Sequence, residues 1–277
     1  DSTTTQSIDV GLVPDFVWIN SRTSGTGHHS LVDRVRGDVA LNSNQTIAEY
    51  SVTAFNMNTN GTIDVPYFAN DYSMNTSGNS YVGWNWKANG SGVLNEVGDI
   101  DSTVSANTTA GFSIVSYTGT GSASTVGHGL GIAPSMIIFK NRDGAYDWAT
   151  YHKDLTSAAY TVYLSLNYAQ STNSTVAKYY NSTDPTSSVF SIGASNNYTN
   201  LSSNKYIAYC FAEVSGYSSF GSYTGNGSTD GTFVYLGFRP AWVMVKRSDS
   251  SGGWCIHDDK RNPYNPEELL LRADKAS

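Results

Sequence analysis

Three short apolar runs punctuate the chain, each placed just after a Gly-x-x-Pro turn. Phe16-Val17-Trp18-Ile19-Asn20 follows Gly11 to Pro14, Met136-Ile137-Ile138-Phe139-Lys140 follows Gly131 to Pro134, and Trp242-Val243-Met244-Val245-Lys246 follows Gly237 to Pro240. Proline fixes φ in the turn, and runs this rich in apolar, β-branched and aromatic residues predict central strands buried on both faces. Phe112-Ser113-Ile114-Val115-Ser116-Tyr117 and Phe220-Gly221-Ser222-Tyr223 read as alternating strands that end in Thr-Gly-x-Gly turns. Tyr206 to Val214 reads as a further strand that closes a unit. Such strands, separated by Gly, Asn and Ser clusters, predict an all-β fold of antiparallel β-sandwiches. Only Asn265 to Lys275, with Pro and Glu early and Arg and Lys late, predicts a short helix.

The pattern repeats. Tyr117 and Tyr223, Gly131 and Gly237, Met136 and Trp242, and Trp148 and Trp254 share an offset of about 106 positions, the scale of a small domain. A third copy lies at the front, where Tyr81-Val82-Gly83-Trp84-Asn85-Trp86 matches Tyr206-Ile207-Ala208-Tyr209-Cys210-Phe211. The sequence therefore predicts a first module over 1–88, a linker rich in Gly, Asn, Ser and Thr over 89–110, a second module over 111–216 and a third over 217–277. The first is expected to be incomplete at its start and the third at its end. The short Ser215-Gly216-Tyr217 junction predicts closely packed neighbours rather than beads on a string.

Composition narrows the function. Charged residues are only 14% of the chain, net charge is −7, and no block of Lys or Arg occurs, so counterion-driven binding to nucleic acid or anionic lipid has no source. No stretch of 18 apolar residues is present to insert into a membrane. The two cysteines, Cys210 and Cys255, sit in strand-like apolar runs and read as free thiols.

Several long runs carry a resemblance. Tyr81 to Gly90, Thr103 to Val115, Val126 to Gly131 with Pro134, Tyr209 to Val214, and Gly237 to Arg247 resemble repeat modules of virion proteins in marine tailed bacteriophages. The resemblance implies jelly-roll or lectin-like sandwiches in a tail fibre or appendage, located on the virion surface or outside the cell. It implies a structural or host-recognition role and brings no catalytic residues onto this sequence. The implied partners are other copies of the chain or other virion proteins, with host surface glycans as a further possibility.

Candidate chemistry is sparse. Glu96, Asp99 and Asp101 form the tightest acidic cluster, but their spacing and Gly-rich setting do not match a pair of glycosidase carboxylates. No Gly-x-Ser-x-Gly elbow occurs, and among His28, His29, His128, His152 and His257 no pair has metal-ligand spacing. Cys255 and His257 would share one strand face without forming a designed pair. No cofactor is expected, apart from Ca²⁺ as an option at Asp143 and Asp147, or at Asp258 and Asp259, against the alternative that these are ordinary turns. Sugar binding uses rings to stack on and amides for hydroxyls, so the loops holding Tyr179, Tyr180 and Asn181 and holding Asn197 and Tyr198 are the glycan candidates, against ordinary solvated turns. Trp148, Trp254, Trp84 and Trp86 read as core. The expected function is thus a non-enzymatic fibre or appendage protein with a possible role in host adhesion. The alternatives are a depolymerase on the same appendage and a cell-surface or filament-forming protein assembled by strand exchange.

Overall fold

The computed structural model describes residues 5–23, 27–67, 74–172, 175, 178–264, 266 and 268–276. Among them the fold is all-β and antiparallel, with no α-helix. The first sheet is built around β2 (Phe16–Ser21), flanked by β3 (Ser30–Asp33) and β8 (Tyr81–Trp86) and extended by β4 (Val39–Asn42) and β5 (Tyr50–Ser51). The second has seven strands in the order β15 (Val162–Tyr163), β14 (Ala149–His152), β13 (Met136–Asn141), β17 (Lys205–Phe211), β11 (Phe112–Thr118), β10 (Ser102–Asn107) and β9 (Val93–Asn95). The third has the order β18 (Trp242–Lys246), β19 (Trp254–Asp258) and β20 (Leu271–Arg272).

Strand alternation sends the residues of the first two sheets to two different cores each. From β2, Val17 and Ile19 face an outer core with Phe55, Ile63, Val65 and Met74, roofed by a small sheet of β1 (Gln6–Asp9), β7 (Thr62–Val65) and β6 (Asn56–Met57). From β13, Ile137 and Phe139 face another outer core with Val126, Phe190 and Ile192, roofed by β12 (Ser124–Gly127) and β16 (Val189–Ile192). The opposite faces meet. Phe16, Trp18 and Trp84, then Ile114, Ile138, Trp148 and Tyr209, then Trp254 and Ile256 all belong to one central core. Two sandwiches and a third sheet therefore share an interior, which is closer packing than tandem modules need.

β2 and β13 are buried along their whole length, as their apolar runs predict, whereas β18 is only half-buried at every position. Among the described residues no roofing sheet covers the face of β18 that carries Val243 and Val245. Three expectations are corrected. The segment 89–110 is not a linker: β9 and β10 lie within it, and β10 pairs with β11 from Ser102↔Tyr117 to Asn107↔Phe112. Its Ser- and Thr-rich strand needs little apolar content because it sits near the sheet edge. Phe220 to Tyr223 forms no strand, since it has no neighbour to pair with among the described residues. The helix expected over 265–275 is absent from its described residues (Asn265 and Glu267 lie outside them). There Leu271 pairs with Ile256, and Ala273 is fully buried. Strand pairing and burial override a helical charge pattern worth only tenths of a kcal/mol.

Candidate functional site

The glycan candidates do not form a binding face. Tyr179 and Tyr180 are each 2% exposed and belong to the outer core of the seven-stranded sheet. The Tyr179 ring lies 4.6 Å from that of Tyr198, its hydroxyl is 3.2 Å from Tyr163 Oη, and the Tyr180 hydroxyl is 2.7 Å from Thr161 Oγ1. Burial, above all, pushes both phenols up. Adjacent tyrosines can both turn inward because 178–182 is a turn rather than a strand, which Asn181 leaves with a φ of 51°. Asn181 and Asn197 are exposed, and Tyr198 is half-buried. The Asn197 carbonyl accepts from Asn141 Nδ2 and Tyr206 Oη.

The acidic candidates are spent on protein donors. Asp143 Oδ2 accepts from the Lys205 amide at 2.6 Å, and Asp147 Oδ1 from Ser165 Oγ at 2.9 Å. Among the described residues neither joins a cluster of three metal-ligating side chains. Glu96, Asp99 and Asp101 are exposed between β9 and β10, where Asp99 binds the amide and hydroxyl of Thr125. A cleft of about 600 Å³ beside β8 is lined mainly by apolar and amide or hydroxyl side chains, with Asp9 as its one described carboxylate. Cys210 is buried and free, its thiol pushed up to about 12 by burial, and Cys255 is free and half-buried.

What the structure brings together is a ring of contacts between the sheets. At the end of β3, Asp33 accepts from the Arg36 amide at 2.9 Å and from Arg36 Nε at 2.5 Å, Arg36 Nη2 donates to the Leu31 carbonyl, and Tyr209 of the second sheet donates to Asp33 Oδ2 at 2.8 Å. At the end of β19 the same atoms recur: Asp258 accepts from the Arg261 amide at 2.9 Å and Nε at 2.6 Å, Arg261 Nη2 donates to the Ile256 carbonyl, and Trp84 of the first sheet donates to Asp258 Oδ2 at 3.1 Å. The Arg261 and Trp84 donors hold the Asp258 carboxyl below its ordinary value against burial. Asp258, offered by the sequence as an optional Ca²⁺ ligand or an ordinary turn residue, is the acceptor at this corner.

Indoles repeat the theme. Trp148 Nε1 donates to the Asn42 carbonyl at 2.8 Å, and Trp254 Nε1 to the Tyr163 carbonyl at 2.8 Å. Lysines at the ends of the central strands do likewise: Lys140 Nζ donates to Thr46, Asn141 and Gly144 carbonyls, and Lys246 Nζ to those of Tyr168 and Arg247. Burial draws the Lys140 ammonium down to about 7, against the pull of Asp147. Backbone links run in parallel, from the Glu49 amide to the Arg142 carbonyl and from the Gln170 amide to the Ser248 carbonyl. Sequence reasoning missed this network. The signal was present as Asp-x-x-Arg at 33–36 and 258–261, after two matching strands.

The sequence profile of a family described as a domain of unknown function (DUF7483) matches residues 1–277. The chain belongs to that family. No curated protein and no solved structure matches it.

His29 closes the ring between the first and third sheets. It is fully buried, accepts from Trp18 Nε1 at Nδ1 at 3.0 Å and faces the backbone of Arg272, while Ser43 Oγ donates to the Ala273 carbonyl at 2.7 Å. Burial, with a smaller contribution from His28, lowers the imidazole from 6.5 to about 3. The unfolded chain takes up a proton below pH 6.5 while the folded ring stays neutral, so this stability is lost as pH falls from 6.5 towards 3. Between pH 7 and 5 the native chain loses about 2 kcal/mol more than His29→Gln, measured by urea unfolding. Equal slopes for the two proteins would remove His29 as the cause.

Proposed function

We propose that the chain is a structural, non-enzymatic module of an extracellular appendage of the virion-fibre type, built from three copies of one β unit closed on a common core. The observation that carries this reading is the recurrence of the same staples between successive sheets: indole to carbonyl, lysine to carbonyls, and amide to carbonyl. Such a body resists being pulled or cut apart unit by unit, which suits a part that stays folded outside a cell. A surface poor in charge and rich in Ser, Thr, Asn and Tyr agrees with that setting. Its partners are further copies or other appendage proteins, with contact to host glycans confined to exposed loops, since Tyr179 and Tyr180 are core residues.

The test is immunogold electron microscopy of particles and cells of the source, using antibody against the chain. Label along fibres or appendages is the expected result, and label confined to the cell interior would overturn the reading. A second assay incubates the chain with envelope polysaccharide and follows polymer length by size exclusion. Unchanged length is expected, and shortening would favour a depolymerase.

A further inference from the structure

Two of the three central strands have a closing strand along the edge opposite their hairpin partner. β8 runs antiparallel beside β2, from Phe16↔Trp86 to Ser21↔Tyr81, and β17 beside β13, from Met136↔Phe211 to Asn141↔Tyr206. One backbone device marks both sites. The amide before the central strand donates to the last carbonyl of the closing strand, Asp15 to Trp86 at 2.9 Å and Ser135 to Phe211 at 2.7 Å. The carbonyl of that same residue accepts from the hairpin side, from Arg34 at 2.9 Å and Lys153 at 2.8 Å.

The third sheet carries half of this device. The Ala241 carbonyl accepts from the Asp259 amide at 3.0 Å, but no described carbonyl sits on the Ala241 amide. Among the described residues β18 is an edge strand paired only with β19. Ala241 is exposed, whereas Asp15 and Ser135 are buried beneath their closing strands. The indole N–H of Trp242 is buried with no acceptor among the described residues. On the far side, Phe220 already packs against the central core, as Ile114 of β11 does, yet 219–224 forms no strand. In the seven-stranded sheet β17 lies between β11 and β13. The corresponding place between 219–224 and β18 holds no strand among the described residues.

We infer that the open edge of β18 is a strand-acceptor site, whose occupant is a β-strand of the β8 and β17 type running antiparallel to β18. Both filled sites read Tyr, β-branched, small, aromatic, variable, aromatic: Tyr81 to Trp86 and Tyr206 to Phe211. The second, fourth and sixth side chains face the central core, so the pattern is set by packing and by the alternation of a strand. The fourth position has a further task, since Tyr209 and Trp84 reach the corners at Asp33 and Asp258. At the vacant site the corner is the end of β14, where His152 faces Phe220 at 6.2 Å. β8 and β17 are themselves paired within the chain, so the occupant is a separate strand with this pattern. The inference does not rest on the appendage reading.

The probe is a synthetic peptide with the sequence of residues 204–213, added to the full chain and followed by hydrogen–deuterium exchange. Amides at 241–246 and 219–224 are expected to exchange more slowly by about tenfold or more with saturating peptide. A control peptide carrying the Ala208→Pro and Tyr209→Ala changes is expected to protect neither segment, because Pro removes a ladder donor. Absence of protection, or equal protection by the control, would overturn the inference. So would protection of β18 without peptide in a chain that sediments as a dimer, since the edge would then be a contact between copies.

Discussion

Asp33→Ala is expected to destabilise the protein by about 3 to 5 kcal/mol, the range for removing one partner of a buried ion pair. Both side chains of the Asp33–Arg36 pair are fully buried. Burial alone would lower the Arg36 guanidinium, but Asp33 first, then Tyr209 and Glu49, hold it above its ordinary value. Without the carboxylate that charge keeps only Glu49, at 3.7 Å and shared with Arg142, and the Tyr209 hydroxyl loses the acceptor it donates to. Folded domains have a net stability of about 5 to 15 kcal/mol, so the loss is a large part of the whole. Equilibrium urea unfolding measures it. The paired change Asp33→Leu with Arg36→Met removes both charges and is expected to recover most of the loss. If Asp33→Ala costs under about 1 kcal/mol, within the range of an exposed pair, the corner does not hold the sheets together.

Trp148→Ala is expected to cost about 3 to 5 kcal/mol by leaving a cavity where three sheets meet. Its ring is fully buried and lies 6.5 Å from that of Tyr209, nearly parallel to it, while its N–H satisfies the Asn42 carbonyl of the neighbouring sheet. Trp148→Phe keeps much of the volume and removes the indole donor from the Asn42 and Gln45 carbonyls, so a cost of about 1 to 3 kcal/mol is expected from the lost hydrogen bonds and the lost ring area. Denaturant midpoints by far-ultraviolet circular dichroism separate the two variants. A single transition in both, rather than a step for each sheet, is the expected signature of the shared core.

The sequence disclosed some of these elements and hid others for physical reasons. β2 and β13 were legible because four consecutive apolar residues after a Gly-x-x-Pro turn have few destinations other than a strand buried on both faces. β10 was hidden because Ser102-Thr103-Val104-Ser105-Ala106-Asn107 has the composition of a loop and becomes a strand through its pairing with β11. Tyr179 and Tyr180 were misread because a polar loop around two tyrosines gives no local sign that both rings turn inward. The Asp33 and Asp258 corners were missed because acids were weighed only as paired carboxylates or as Ca²⁺ ligands. Each instead works with an arginine three positions on, and with an aromatic donor 176 or 174 residues away in sequence. Such partners cannot be read from spacing.

The shared core also limits how this gene can be cut and recombined. A crossover at residue 88 or 216 falls between strands of different sheets but passes through one interior, so a fragment that keeps Trp84 without Asp258, or Trp148 without Asn42, leaves a buried donor without its acceptor. Exchange of a single sheet between homologous genes therefore requires compatible residues on the two others. Viable recombinants are expected to inherit the three together, and libraries made by shuffling at those two positions are expected to be dominated by insoluble products.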